Sequence, residues 1–164
     1  MDDPFSPTKP FLLPNYRVER MILSPAHWKT FLLKPRLRWT ATKFERANMQ
    51  KVPNNTRGVY SFLVQPGIAQ HTQCSYLMYV GKTEKQSLRE RFAQCFGHLT
   101  ETSRRTNISK MLRLWQDHLW FCFAPVADKR MIDGIEQALL NAFLPPFNRR
   151  YRGMVAKQLR HLFS

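Results

Sequence analysis

The chain has 164 residues, 43% hydrophobic and 13% aromatic, which suffices for one folded domain and argues against global disorder. Its 26 Lys and Arg residues outnumber 11 Asp and Glu, and the resulting formal charge of +15 favours a polyanionic partner, above all nucleic acid, over a merely basic surface. Three scattered cysteines exclude a disulfide framework and a zinc knuckle, so we expect a cytoplasmic protein. No apolar run reaches the roughly 20 residues of a membrane span, so we expect no membrane partner.

Residues 1–56 are predicted to form a basic, proline-rich extension with one short helix. Four prolines keep its first segment extended, because each ring fixes φ and removes a backbone donor: Pro4, Pro7, Pro10 and Pro14. Ser24 and Pro25 have the residue types of the cap and the first position of this helix, which should continue until Pro35 ends it. Residues 34–51 are basic and aromatic, which fits either a strand and helix lying along a nucleic-acid backbone or a solvated face.

The rest of the chain alternates apolar strands and helices. Segments rich in β-branched and aromatic residues predict strands at 58–65, 75–81 and 119–125, the first two as an antiparallel hairpin with a long loop. Apolar residues three and four apart predict helices at 87–97, 107–116 and 128–143. The order is therefore β-β-α-α-β-α, an α+β pattern, and a basic tail follows at 151–164.

Two charged residues stand on helix faces where apolar residues belong. Glu136 lies four residues after Ile132, and Arg91 lies three residues after Leu88. A charge in such a place is costly unless it is paired, hydrated or bound to an ion. The pattern leaves two interpretations open: a structural ion pair between the two residues, or a polar site that they share.

Three segments in order, "GVY" at 58–60, "YVGKTEKQSLRERF" at 79–92 and "EQALLNAFLPPFN" at 136–148, together resemble the GIY-YIG nuclease family. The resemblance covers about residues 57–150, and it implies a nuclease domain with a small three-stranded antiparallel sheet flanked by helices. One departure is plain. Many family members have a His one helical turn after the arginine, where this chain has Cys95, with His98 nearly a further turn along.

The resemblance also implies a chemistry, the hydrolysis of phosphodiester bonds in DNA. Glu136 would hold one divalent ion, Mg²⁺ or Mn²⁺, and Arg91 would grip the scissile phosphate. Tyr60 would be the general base, with Tyr79 beside it ordering water or phosphate, while Lys82 and Arg91 favour the phenolate. Asn148 completes the set, and its residue type suits fixing the helix end and the strand edge.

Basic residues outside that set are expected to contact the phosphates of DNA, rather than RNA, without reading its sequence: Arg36, Arg38, Lys43, Arg104, Arg105, Arg149 and Arg150. Trp39, Phe44 and Tyr151 are candidates for stacking on bases. A role in restriction or defence is the favoured context, and cleavage of both strands would favour a homodimer or sequential nicks. The alternative is a non-catalytic nucleic-acid-binding module that retains the nuclease fold.

Overall fold

The computed structural model describes residues 19, 21–25, 28, 36–65, 74–100, 106–148 and 151. Four strands and three α-helices lie within these ranges, in the chain order β1 (Thr40–Lys43), β2 (Gly58–Val64), β3 (Tyr76–Thr83), α1 (Leu88–Thr100), α2 (Thr106–Trp115), β4 (Leu119–Pro125) and α3 (Lys129–Phe143). Two 3-10 helices join them, at Arg46–Lys51 and Gln116–His118. The α+β class is confirmed, and from β2 to α3 the elements follow the predicted order.

The prediction of a three-stranded sheet is wrong. The described sheet has four strands in the order β1-β4-β2-β3, and every neighbouring pair is antiparallel. The additional strand, β1, comes from the segment that was predicted to be an extension. It is an outer strand on which only Thr42 is buried, so it lacks the apolar alternation that reveals a strand in sequence.

The sheet separates two apolar clusters, and each covers one face. On the face that α1 and α2 pack against, here called the α1 face, Tyr60, Phe62 and Phe121 meet Phe92 and Met111. On the opposite face, here called the α3 face, the second cluster joins strand residues to four apolar positions of α3: Ile132, Ile135, Leu139 and Leu140. Burial of these two surfaces is the main force that holds the layers together.

Local signals fix where the two site-bearing helices begin. At the start of α1, Ser87 Oγ accepts from Glu90 N at 3.1 Å and Glu90 Oε2 accepts from Ser87 N at 2.6 Å, which is a reciprocal capping box. At the start of α3, Asp128 Oδ1 accepts from Arg130 N at 2.9 Å. Both caps are readable in sequence, because a polar acceptor precedes each apolar helical pattern.

The N-terminal segment is described only in part. Pro25 and Trp28 are helical, as predicted, and Trp28 Nε1 donates to Ala142 O at 2.7 Å, which ties this segment to the last turn of α3. The other residues of that predicted helix, and most of the predicted tail, lie outside the described residues. Among the helices in the described ranges, none is long and apolar enough to cross a bilayer.

Candidate active site

The predicted site residues gather around β3, the outer strand beside β2. Phe62 pairs with Tyr79 whereas Leu63 pairs with Leu77, so Met78 is the extra residue of a β-bulge. Past the bulge, Tyr79 packs against the cluster of the α1 face and Val80 against that of the α3 face. The end of β3 therefore presents Gly81 to one face of the sheet and Lys82 to the other.

On the α1 face, Arg91 is bonded to Tyr60 in the interior. Arg91 is 3% exposed and Tyr60 is 2% exposed, and Arg91 Nε donates to the Tyr60 hydroxyl at 2.7 Å. A second nitrogen, NH1, donates to Gln94 Oε1 at 2.5 Å. The third, NH2, is buried and has no hydrogen-bond partner in the described part of the chain. This guanidinium thus keeps one donor available in a place where an unpaired donor is costly.

Gly81 provides the space in which the two phenols lie. A Cβ at this position would be 2.6 Å from both Cζ and the hydroxyl oxygen of Tyr60, and 2.8 Å from Cε1 of Tyr79. The rings of Tyr60 and Tyr79 are 6.1 Å apart between centroids and tilted by 33°. The glycine is therefore needed because the tips of both tyrosines occupy the volume that a side chain would fill.

The two phenols differ in their environment. Burial, reinforced by Tyr79, raises the pKa of Tyr60 well above its usual value, and the opposing effect of Arg91 is smaller. Arg91 lowers the pKa of Tyr60, as expected of a nearby cation, but burial outweighs it, and Lys82 lies on the other face of the sheet. Tyr79, by contrast, is only half-buried. Of the two, it is the phenol that water reaches more readily.

On the α3 face, Lys82 is surrounded by three carboxylates. Its Nζ lies 2.9 Å from Glu84 Oε1 and 3.6 Å from Glu136 Oε2, and it makes its shortest contact with Asp133 Oδ1. Burial lowers the pKa of Lys82, but these partners outweigh it and raise the pKa above its usual value. Burial also raises the pKa of Glu136, and Lys82 opposes that effect. The cluster carries more negative than positive charge.

Asn148 holds the free edge of β3. After α3, Leu144 adopts a left-handed conformation with φ of 46°, and the chain turns back toward the sheet. Asn148 Oδ1 accepts from Val80 N at 2.9 Å, and Asn148 Nδ2 donates to Val80 O at 2.8 Å. The side chain thus pairs with both backbone groups of one edge residue, which is the strand-fixing role that its residue type suggested.

Arg91 and Glu136 do not meet. Glu136 pairs with Lys82 under α3, whereas Arg91 bonds Tyr60 and Gln94 on the other face of the sheet. The interpretation of these two residues as one structural ion pair is therefore wrong. Each charged side chain is paired with neighbours on its own face of the sheet, so the contacts of the described residues do not form one polar site shared by Arg91 and Glu136 either.

The structure describes three of the seven predicted phosphate-contacting residues. Arg36 and Arg38 are exposed, and Lys43 Nζ pairs with Glu45 Oε1 at 2.6 Å. The other four lie outside the described residues: Arg104, Arg105, Arg149 and Arg150.

Two of the three predicted stacking residues pack within the fold, one of them buried and the other half-buried. Phe44 is 3% exposed and stacks on Phe96 at 4.3 Å between centroids. Tyr151 packs beside the cluster of the α3 face and donates its hydroxyl to Pro145 O at 2.8 Å. Trp39, at 42% exposed, remains a candidate. Aromatic residues among basic ones looked like a nucleic-acid surface, but two of them are core or packing residues.

Cys95, which occupies the family's frequent His position, is fully buried in the cluster of the α1 face. His98 is half-buried in the last turn of α1. Sequence reasoning missed three polar neighbours of the site: Gln94, Glu84 and Asp133. Each lies two or three residues from a predicted site residue, so helical or strand spacing from Arg91, Lys82 and Glu136 is the signal that would have found them.

The described residues offer few side-chain ligands for the predicted metal ion. In the described residues no group of three or more His, Cys, Asp or Glu side chains is arranged to hold a metal ion. Glu136 has a side chain that is 18% exposed, and Lys82 contacts its Oε2. These donors fit an ion that takes one protein carboxylate and completes its shell with water and phosphate oxygens, as Mg²⁺ does, and they do not fit a Zn²⁺ site.

No protein-family model, curated protein or solved structure matches this chain.

Proposed function

We propose that this protein is a divalent-metal-dependent endonuclease that hydrolyses phosphodiester bonds in DNA, with its active centre around the end of β3. The formal charge of +15 supports a nucleic-acid partner. The ordered set of Tyr60, Tyr79, Arg91, Glu136 and Asn148, which resembles the GIY-YIG nucleases, supports hydrolysis. We further propose a cytoplasmic location, which three widely spaced cysteines favour.

One observation carries the proposal: the buried guanidinium of Arg91 with an unpartnered NH2 beside two phenols. Leaving a buried donor without a hydrogen-bond partner costs of order 1–3 kcal/mol, and more when the donor carries a charge. A phosphate oxygen is the ligand that a planar guanidinium binds best. Arg91 is closed to solvent in this conformation, so substrate binding must displace the groups that cover it.

The chemical roles follow from the contacts on each face. Tyr60 accepts from Arg91 Nε and fixes the guanidinium, since its buried hydroxyl is not poised to ionise. Tyr79, half-buried and adjacent, is the phenol that orders the attacking water or serves as its base. Arg91 NH2 is the donor for a non-bridging phosphate oxygen as negative charge develops there.

Glu136 is the residue that would hold the divalent ion. When bound, that ion would neutralise charge on the phosphate and the leaving oxygen. Lys82 is a cation already at this carboxylate, and its contacts with Glu84 and Asp133 hold it there. We propose that the scissile phosphate binds at the end of β3, because Gly81 lies beside Tyr60 and Tyr79 and the next residue, Lys82, contacts Glu136.

The test is incubation of the purified protein with supercoiled plasmid, in Mg²⁺ and in EDTA. The proposal predicts nicked and linear products in Mg²⁺ alone. Discrete fragments would indicate a recognition sequence, as restriction or defence requires, whereas a smear would indicate none. Linear product without a nicked intermediate would indicate two active centres acting together, as in a homodimer.

A second candidate, a non-catalytic nucleic-acid-binding module, is favoured by one specific observation. Tyr60 and Arg91 are closed to solvent, and they lie on the face of the sheet opposite Glu136. For such a module, DNA would be bound in Mg²⁺ and recovered intact, and Glu136→Gln would bind it as the wild type does. The nuclease proposal predicts that this variant binds equally well while cleavage is present in the wild type alone.

A further inference from the structure

Gln94 is an exposed residue of α1, and its amide oxygen accepts two hydrogen bonds at the candidate site. It lies three residues after Arg91, about one turn further along the same helix. Gln94 Oε1 accepts from Arg91 NH1 at 2.5 Å and from Gln86 Nε2 at 3.2 Å. A chain of hydrogen bonds therefore runs from the loop after β3, through Gln94 and Arg91, to the hydroxyl of Tyr60.

The donor and acceptor pattern fixes the orientation of the Gln94 amide. A guanidinium has donors and no acceptor, so the Gln94 atom that faces Arg91 must be the oxygen. With Nε engaged by Tyr60 and NH1 by Gln94, two of the three nitrogens are held. Rotation of the planar group about its bonds would break both contacts, and NH2 is the nitrogen that remains.

We propose that Gln94 is a positioning residue for Arg91, and that its contact selects NH2 as the donor offered to an oxyanion of the substrate. The inference rests on the proposed function, because it names which nitrogen serves the phosphate. A side chain without a hydrogen-bond acceptor at this position could not hold NH1 in this way. Gln86, whose contact with Gln94 is exposed, steadies the amide from the far side.

A purely structural role for Gln94 accounts less well for these contacts. An exposed glutamine on a helix contributes to stability mainly through helix propensity, which alanine matches or exceeds. Gln137 on α3 offers a matched control, because its Nε2 donates to Asn141 Oδ1 at 3.3 Å in a helical amide pair that touches neither the guanidinium nor the phenols.

The experiment compares Gln94→Ala, Gln94→Glu, Gln86→Ala and Gln137→Ala with the wild type in three measurements. The first is resolution of the Arg91 Nη signals by NMR, which reports whether the guanidinium is held. The second is the affinity for a DNA duplex in a Glu136→Gln background. The third is the separation of kcat from KM for plasmid cleavage in Mg²⁺.

For Gln94→Ala we expect merged Nη signals, kcat about tenfold lower and KM within about twofold of the wild type, since the lost contact orients a group that acts on the transition state. Gln94→Glu should keep the signals resolved but weaken DNA affinity at least about tenfold, because its carboxylate neutralises the guanidinium. Gln86→Ala should lower kcat about twofold, and Gln137→Ala should match the wild type.

Resolved Nη signals and an unchanged kcat in Gln94→Ala would overturn the inference, as would equal effects in Gln94→Ala and Gln137→Ala. Failure of the proposed function looks different. If the wild type cleaves nothing, the NMR and affinity measurements still report whether Gln94 holds Arg91, so that the positioning role and the nuclease activity are judged separately.

Discussion

Substitution of Gly81 by alanine tests the packing of the site. A Cβ here would lie 2.6 Å from the Tyr60 hydroxyl oxygen and 2.8 Å from Tyr79 Cε1, too close for either atom to remain in place. Overpacking of this kind costs about 1–3 kcal/mol. Displacing the Tyr60 hydroxyl would also break its bond with Arg91, and a hydrogen bond to a charged group contributes about 1.5–3 kcal/mol. We therefore expect Gly81→Ala to lose about 3 kcal/mol of unfolding free energy.

The assay is urea unfolding with Gly97→Ala as the matched control. Gly97 lies inside α1 with no heavy atom within 4 Å of an added Cβ, so alanine there should gain about 0.5–1 kcal/mol through helix propensity. Opposite signs for the two variants are the expected result. Equal stability of Gly81→Ala and the wild type would refute the conclusion that both phenols depend on this space.

Three further predictions concern the fold and the strand edge. Phe44→Ala should destabilise the protein by about 3–5 kcal/mol, and Trp39→Ala by less than about 1 kcal/mol, in urea unfolding, because Phe44 is 3% exposed and Trp39 is 42% exposed. Similar losses would contradict the enclosure of the Phe44 ring in the core. Asn148→Ala should cost about 1–3 kcal/mol, since it removes two hydrogen bonds from the β3 backbone, and an unchanged midpoint would argue against that clamp. At pH 8 a thiol reagent should label Cys74 before Cys122, because burial raises the pKa of Cys122 to about 11; the reverse order by mass spectrometry would show that Cys122 is not buried.

The sequence predicted the elements that carry strong periodicity and missed the one that does not. From β2 to α3, apolar alternation and helical spacing located each strand and helix. The strand β1 pairs four residues with β4, of which Thr42 alone is buried, so its assignment depends on a partner that is distant in sequence. Phe44 was misjudged for the same reason, because only the packing of α1 against the sheet shows that its ring is enclosed.

The candidate site was foreseen as a set of residues but not as an arrangement. The misplaced charges of Arg91 and Glu136 were visible as breaks in apolar stripes, yet periodicity within a helix does not reveal which face of a sheet that helix covers. The two charges were treated as neighbours, and the structure puts them on opposite faces. Burial of Tyr60, which decides its pKa, likewise depends on three separate elements that close over it.

The measurement that bears most directly on the nuclease proposal is the single-turnover rate of plasmid nicking by Glu136→Gln beside the wild type, both confirmed to be folded and to bind DNA equally. The proposal predicts a loss of at least about 1,000-fold, the equivalent of about 4 kcal/mol of transition-state stabilisation. Nicking by the variant at the rate of the wild type would contradict the assignment of Glu136 to the reaction, and with it the proposed active centre at β3.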